Sequence, residues 1–158
     1  MYFTQKASTV LPSFIYGPFP PKFIPLPKPE YNTLSSTLVI YNLLFPTGDH
    51  LPSPSYIDVR DAACAHIGAL ESKPDKNNNK RVILCSPHGL TARHVLGMIK
   101  KKYPELEHRL ARGPVPEFPS DRFEIDFERV KEVTGMREED FHTLEEVCYL
   151  LQSNNLWA

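Results

Sequence analysis

The residues best equipped for chemistry fall in two places. One is "LPSFIYGP", residues 11 to 18, where a β-branched and aromatic run over residues 9 to 16 breaks into Gly17-Pro18. That composition reads as a buried strand closed by a turn. In an α/β sheet the carboxyl end of a strand is where ligands bind, and proline stiffens the turn. The other is "DVRDAACAH", residues 58 to 66, in which Asp58, Arg60, Asp61 and His66 offer the groups of acid–base catalysis. Their spacing favours structure over catalysis. Asp61 is placed to cap an alanine-rich helix, Arg60 and Asp58 to pair or brace the backbone, and His66 to pack on the helix.

Other reactive side chains do not assemble. His88 and His94 flank a loop and a helix start, with no carboxylate or third ligand at metal spacing, so no metal is expected. Cys64, Cys85 and Cys148 lie far apart without a CxxC pair. They read as buried free thiols of a reducing compartment, and neither a zinc site nor a disulfide framework is expected.

These groups must be held by a chain of 158 residues, enough for one domain with a core. The net charge of -1 carries no footprint for nucleic acid or an anionic membrane. Lys100-Lys101-Lys102 fits a solvated helix end, where cations suit the helix dipole. No apolar run approaches the length of a membrane span and the start lacks a signal-peptide layout, so the expected location is the cytoplasm. Proline, 16 residues, is about twice its usual ~5%, which argues for stiff connections.

The positioning elements alternate between strand and helix. After the strand over residues 9 to 16 and a proline-rich stretch, residues 34 to 45 read as a helix started by Ser35 or Ser36. "YIDV", residues 56 to 59, is a short strand, followed by the helix from Asp61. "RVILC", residues 81 to 85, suits a strand buried on both faces of a parallel sheet. Thr91 caps a helix running to Lys102; Asp126 and Gly135 bracket "FERVKEVT". Thr143 and Glu146 make a capping box before a stripe of Leu144, Val147, Cys148 and Leu151. The alternation predicts an α/β fold, with too few strands for a complete doubly wound sheet.

Four stretches, in order, resemble the extended short-chain dehydrogenases/reductases. "LPSFIYGP" is similar to that family's NPPxVYGP segment, and "YIDVRDAACAHIGALE" to its FVDVRDVAxAHxxALE strand and helix. "RVILCSPHGLT" is similar to GRYxxSxxxxT, and "DFERVKEVTGMREEDFHTLEEV" to DxxKxxxxLGxxFxxLEE. The resemblance covers residues 9 to 152 and points to ketone and aldehyde reductases related to dihydroflavonol reductase and fungal methylglyoxal reductase. It implies the C-terminal part of a Rossmann-like fold, an incomplete sheet plus a small substrate-binding lobe, over residues 9–158 behind a non-matching leader, residues 1–8.

By that resemblance Pro12, Ser13, Phe14 and Ile15 lie along the nicotinamide of NADP(H) or NAD(H). Ser36 aligns with a serine that contacts the cofactor, though a helix cap accounts for it equally well. Tyr16, Tyr41 and Leu44 would shape the pocket for a small carbonyl substrate, with core packing as the alternative. The family's Gly-rich phosphate loop has no counterpart here, since the seven glycines do not cluster. Nor does the family's catalytic serine. Tyr2 and Lys6 match the family's YxxxK by letter only. Five residues separate Lys6 from Pro12, where the family places a helix and the start of a strand. No catalytic residue is assigned. The expected function is therefore a portion of an NAD(P)H-dependent reductase acting by hydride transfer, inactive alone. The alternatives are a truncated pseudoenzyme or interaction module, or a sugar-nucleotide epimerase or dehydratase of the same superfamily. An exposed sheet edge would allow self-association.

Overall fold

The structure, a computed structural model, describes residues 7–18, 35–47, 55–73, 79–113 and 124–146. The order is β1 (Ala7–Pro12), β2 (Phe14–Tyr16), α1 (Ser36–Asn42), β3 (Tyr56–Asp58), α2 (Val59–Glu71), β4 (Asn79–Leu84), α3 (Ala92–Lys102), a 3₁₀ helix (Pro104–Arg109), α4 (Phe127–Thr134) and a 3₁₀ turn (Glu138–Asp140).

Both strand pairs are parallel, as an α/β fold requires. β1 runs beside β4 with Val10 opposite Val82 and Leu11 opposite Ile83. β2 runs beside β3 with Ile15 opposite Ile57. The single strand expected over residues 9 to 16 is thus two. Pro12 has no N–H to donate and faces Leu84, the last residue of β4, so the first ladder ends there. The next amide, Ser13 N–H, still donates to the Leu84 carbonyl at 3.0 Å, and the chain then changes partner. Ser86 N–H donates to the Tyr56 carbonyl at 2.7 Å, tying the end of β4 to β3. The two pairs therefore meet at a joint where the carboxyl ends of β1 and β4 adjoin β2 and β3.

Two apolar clusters flank this joint. Ile57, Val82 and Leu84 pack under the small residues Ala62, Ala65 and Ala69 of α2 and under Val130 and Val133 of α4. The second cluster joins Tyr16 and Tyr56 to Ile40, Leu43 and Leu44 after and within α1 and to Val95 of α3. This is the small lobe beside the incomplete sheet. α2 and α4 cross so closely at Gly68 that a Cβ there would sit 1.8 Å from the Thr134 carbonyl oxygen.

Several expectations are corrected. α2 starts at Val59, two residues before the expected cap, because the Asp58 side chain accepts the Arg60 N–H. Asp61 instead sits inside the first turn. Ile83 is 55% exposed, so β4 is covered on one face only; α2 and α4 cover the face of Val82 and Leu84 and no described element covers the other. Cys64 and His66 lie on the exposed side of α2 and not in the core, whereas Cys85 is buried; Cys148 lies outside the described residues. Neither serine caps α1 through its side chain. Thr91 and Asp126 cap as expected, accepting from His94 N–H at 3.1 Å and Arg129 N–H at 2.8 Å. Gly135 closes α4 in the left-handed region, φ 76°.

Candidate functional site

The strand joint gathers the residues expected along a cofactor. Pro12, Phe14 and Ile15 are exposed at the carboxyl ends of β1 and within β2, with Phe14 38% and Ile15 37% open to solvent. Apolar side chains do not stay open at a strand end without cost, at about 25 cal/mol per Å². Ser13, between the strands, spends its N–H on Leu84. Its hydroxyl oxygen is buried and has no partner among the described residues. Buried hydroxyls are ordinarily satisfied, so this oxygen marks a place where a polar group belongs.

Ser36 comes to the same place from α1. Its hydroxyl donates to the Ile15 carbonyl, which ties the first turn of α1 to the middle of β2. That bond explains why Ser36 does not cap its own helix. It also fixes the plane of the Ile15 peptide at the joint.

The three residues expected to shape a substrate pocket lie in or against the lobe core. Tyr16 and Leu44 are buried in the lobe core. Burial pushes the Tyr16 phenol well above its ordinary range, with no neighbouring charge to oppose the shift, so Tyr16 stays protonated. Tyr41 lies half-buried against the same core, its ring edge-to-face with Phe45 at 5.2 Å. Packing accounts for all three. Tyr2 and Lys6 lie outside the described residues.

Just past the joint, Gly17 carries the chain away at φ +142°. A Cβ there would lie 2.6 Å from Val59 Cγ1, so the turn passes against the start of α2 and needs glycine twice over. That start is held by the "DVRD" residues in structural roles. Asp58, fully buried, takes the Arg60 guanidinium in a fork: Nε to Oδ1 at 2.8 Å and Nη2 to Oδ2 at 2.9 Å. This hydrogen bond, with the charge of Asp58, raises the Arg60 pKa further. Asp61, 2% exposed, accepts the His142 N–H at 2.9 Å, and its other oxygen lies 2.5 Å from His142 Nδ1.

His142 is the partner that sequence reasoning missed. It lies 81 residues from Asp61, and no spacing rule links them. The one local signal was its position just before Thr143 and Glu146. There the Glu146 carboxylate accepts from Thr143 N–H at 2.7 Å and from the Thr143 hydroxyl at 2.9 Å. Those two bonds, foremost the backbone one, hold Glu146 below the ordinary carboxylate range.

Among the described residues, no three His, Cys, Asp or Glu side chains converge as metal ligands. His94 Nε2 lies 3.6 Å from Glu145 and His88 N–H donates to the Ser86 hydroxyl. A cleft of about 700 Å³ lies between α3 and the 3₁₀ helix, and one of about 570 Å³ where α2 and α4 end. Neither is lined by the strand joint. No helix among the described residues is long and apolar enough to cross a membrane.

Comparison with known proteins bears on this arrangement. No protein-family profile matches the chain. Over 141 residues it is 30% identical to the Candida albicans protein named for NADPH-dependent methylglyoxal reductase activity, GRP2; the match takes 85% of this chain and 39% of that protein. The crystal structure of Gre2 from Candida albicans superposes with a TM-score of 0.63 at 28% identity, over 96% of this chain and 45% of that one. Yeast methylglyoxal/isovaleraldehyde reductase Gre2, solved with NADPH, superposes at 0.59 with 21% identity over 94% of this chain and 46% of that one, a likeness of fold. The chain thus spans less than half the length of these relatives. It is homologous to the Candida reductase and carries part of a Rossmann-like short-chain reductase fold, in accord with the resemblance read from its motifs.

Proposed function

We propose that this stretch of an extended short-chain reductase fold is the substrate-side portion of an NADPH-dependent enzyme that reduces a small ketone or aldehyde. One observation carries the reading. The run Pro12–Ile15, exposed at Pro12, Phe14 and Ile15 and with a buried Ser13 hydroxyl that has no partner among the described residues, sits where the two parallel strand pairs meet. Homology to the Candida protein and the shared fold with Gre2 support it.

NADPH, when bound, supplies a hydride to a carbonyl carbon, and a proton must reach the carbonyl oxygen. The residues present fit the nicotinamide end of such a cofactor. Phe14 and Ile15 offer apolar surface, Ser13 Oγ an uncommitted donor and acceptor, and Pro12 a rigid loop. Ser36 holds the Ile15 peptide still. The proton does not come from Tyr16, whose burial keeps its hydroxyl protonated and inside the core. No Gly-rich loop for the cofactor phosphates occurs in these 158 residues, so the chain alone binds NADPH weakly or not at all. The buried free thiol of Cys85 supports a reducing, cytoplasmic setting.

The decisive experiment joins the portion of the Candida reductase left uncovered by the match ahead of this chain. The chimera is expected to oxidise NADPH with methylglyoxal, and a Ser13→Ala chimera to do so with raised KM for NADPH. A folded chimera that binds NADPH but reduces no ketone or aldehyde would overturn the reading, as would saturable micromolar NADPH binding and turnover by the 158-residue chain itself.

A further inference from the structure

Lys80 is a buried cation, 9% exposed. It stands on the same face of β4 as Val82 and Leu84, under α2 and α4. Its ammonium donates to the Ser72 carbonyl at 2.8 Å and to the Ser72 hydroxyl. That hydroxyl donates on to the Ala69 carbonyl at 2.9 Å. An ammonium has three donors. Both of its partners are neutral, and no carboxylate among the described residues pairs with it. A buried charge is costly without an opposite charge, so the remaining N–H favours an anion.

Lys80 lines the cleft of about 570 Å³ where α2 and α4 end. That volume falls within the range of small-molecule sites. The other charged residues of the cleft are Lys73, Arg129, Lys131, Glu71 and Glu132. Arg129 pairs with Glu132. Lys73 and Lys131 are exposed and form no ion pair among the described residues. The whole chain carries 18 Lys and Arg against 19 Asp and Glu, whereas the cleft sets four cations against two carboxylates. A near-neutral molecule thus focuses positive charge in one concave place.

Neutralising helix ends does not use up that charge. A helix C-terminus is equivalent to about −0.5 charge, so the ends of α2 and α4 together offset about one of the two surplus positive charges. The cleft also lies apart from the strand joint. Lys80 is near the start of β4 and the joint lies beyond Leu84, roughly 13 Å farther along at about 3.3 Å per residue.

We propose that this cleft is an anion site that takes a phosphate dianion, free or as the monoester of a small organic molecule. Lys80 supplies a buried, fixed donor, and Lys73 and Lys131 supply charge at the rim. A phosphate monoester carries about −1.5 to −2 charge at neutral pH, which these three lysines can neutralise. The site does not depend on the reductase reading.

The test titrates the 158-residue chain with phenyl phosphate, inorganic phosphate and, as the uncharged control, benzyl alcohol. Binding is followed by amide chemical shifts and calorimetry at low salt. The same titration on the chimera with the Candida portion serves if the chain folds only with that complement. The expected result is saturable one-to-one binding of the phosphates, with shifts centred on residues 71 to 73, 80 and 131 to 135. Lys73→Glu and Lys131→Glu, both at exposed positions, should each weaken it roughly ten-fold. Lys101→Glu makes the same charge change on the exposed side of α3 and should leave it unchanged. Lys80→Met should abolish it, and the two rim variants decide the matter if that protein does not fold. Tighter binding of phenyl phosphate identifies an organic phosphate and equal binding a free one; either supports the site. A folded protein that does not saturate with either phosphate, shifts centred elsewhere, equal binding of benzyl alcohol, or equal weakening by Lys101→Glu would overturn the proposal.

Discussion

Gly68 and Gly97 are both helical glycines, yet the same substitution should move stability in opposite directions. Replacing glycine by alanine inside a helix ordinarily gains about 1 kcal/mol from backbone entropy. At Gly97 in α3 a Cβ meets nothing within 4 Å, so Gly97→Ala should realise that gain. At Gly68 a Cβ would sit 1.8 Å from the Thr134 carbonyl oxygen, against an ordinary contact of 3.4 Å or more. α2 and α4 must then part by the difference, 3.4 − 1.8 = 1.6 Å, at their crossing. The obstacle is backbone at the end of a helix, which cannot rotate away as a side chain would. Forcing extra volume into a packed contact costs about 1–3 kcal/mol. The separation also loosens Ala65 and Ala69 against Val130 and Val133, which lie in one cluster. A backbone clash of this depth belongs at the upper end of that range, about 2–3 kcal/mol, so against the helix gain of about 1 kcal/mol Gly68→Ala should be destabilising by about 1–2 kcal/mol. At about 2–4 °C per kcal/mol for a chain of this size, its Tm should fall by roughly 2–8 °C, while Gly97→Ala rises by about 2–4 °C. Far-ultraviolet circular dichroism melts and urea titrations of the two variants decide the matter. A Gly68→Ala protein as stable as the parent, or more so, would refute the close crossing of α2 and α4.

Three further perturbations probe the scaffold around the joint. Asp61→Ala leaves His142 N–H without its acceptor and should cost about 1–3 kcal/mol, with faster hydrogen exchange over residues 141 to 146; unchanged exchange there would break the proposed tie. Glu146 has its folded pKa lowered by the Thr143 bonds, so its contribution is full above the ordinary value of 4.5 and is lost as pH falls through the lower folded value. Helix protection at residues 144 to 146 should therefore decline in that acid window, and Glu146→Gln should remove the dependence. Gly17→Ala is strained by φ +142° as well as by Val59. It should lower the Tm, and Val59→Ala should restore only part of the loss, whereas full restoration would mean that the clash alone matters.

Local chemistry was legible in the sequence. Thr91, Asp126 and Gly135 did what their types do at helix ends, because caps depend on residues within one turn. The parallel α/β pattern followed from alternation of apolar runs. What failed were inferences needing a non-local partner. Asp61 looked like a cap because it precedes an alanine run, and the true cap, Asp58, lies three residues earlier, at the end of β3. The continuous apolar run Val82-Ile83-Leu84 promised two buried faces, and the structure covers one. Ser36 as a helix cap failed likewise, since its hydroxyl reaches 21 residues back to Ile15.

The bare face of β4 makes that failure informative. An apolar run is selected by the environment it ends in, and Ile83 meets no such environment among the described residues. Leu11 stands beside it, and Phe14 and Ile15 lie exposed farther along the same run of chain. Parallel sheets ordinarily have both faces covered, and this chain spans 45% of a solved relative of the same fold. A buried polar atom without a partner is costly, and the Ser13 hydroxyl, which has none among the described residues, sits just past the end of β1. Exposed apolar surface and a buried hydroxyl without a partner among the described residues thus adjoin at one joint, where β1 gives way to β2.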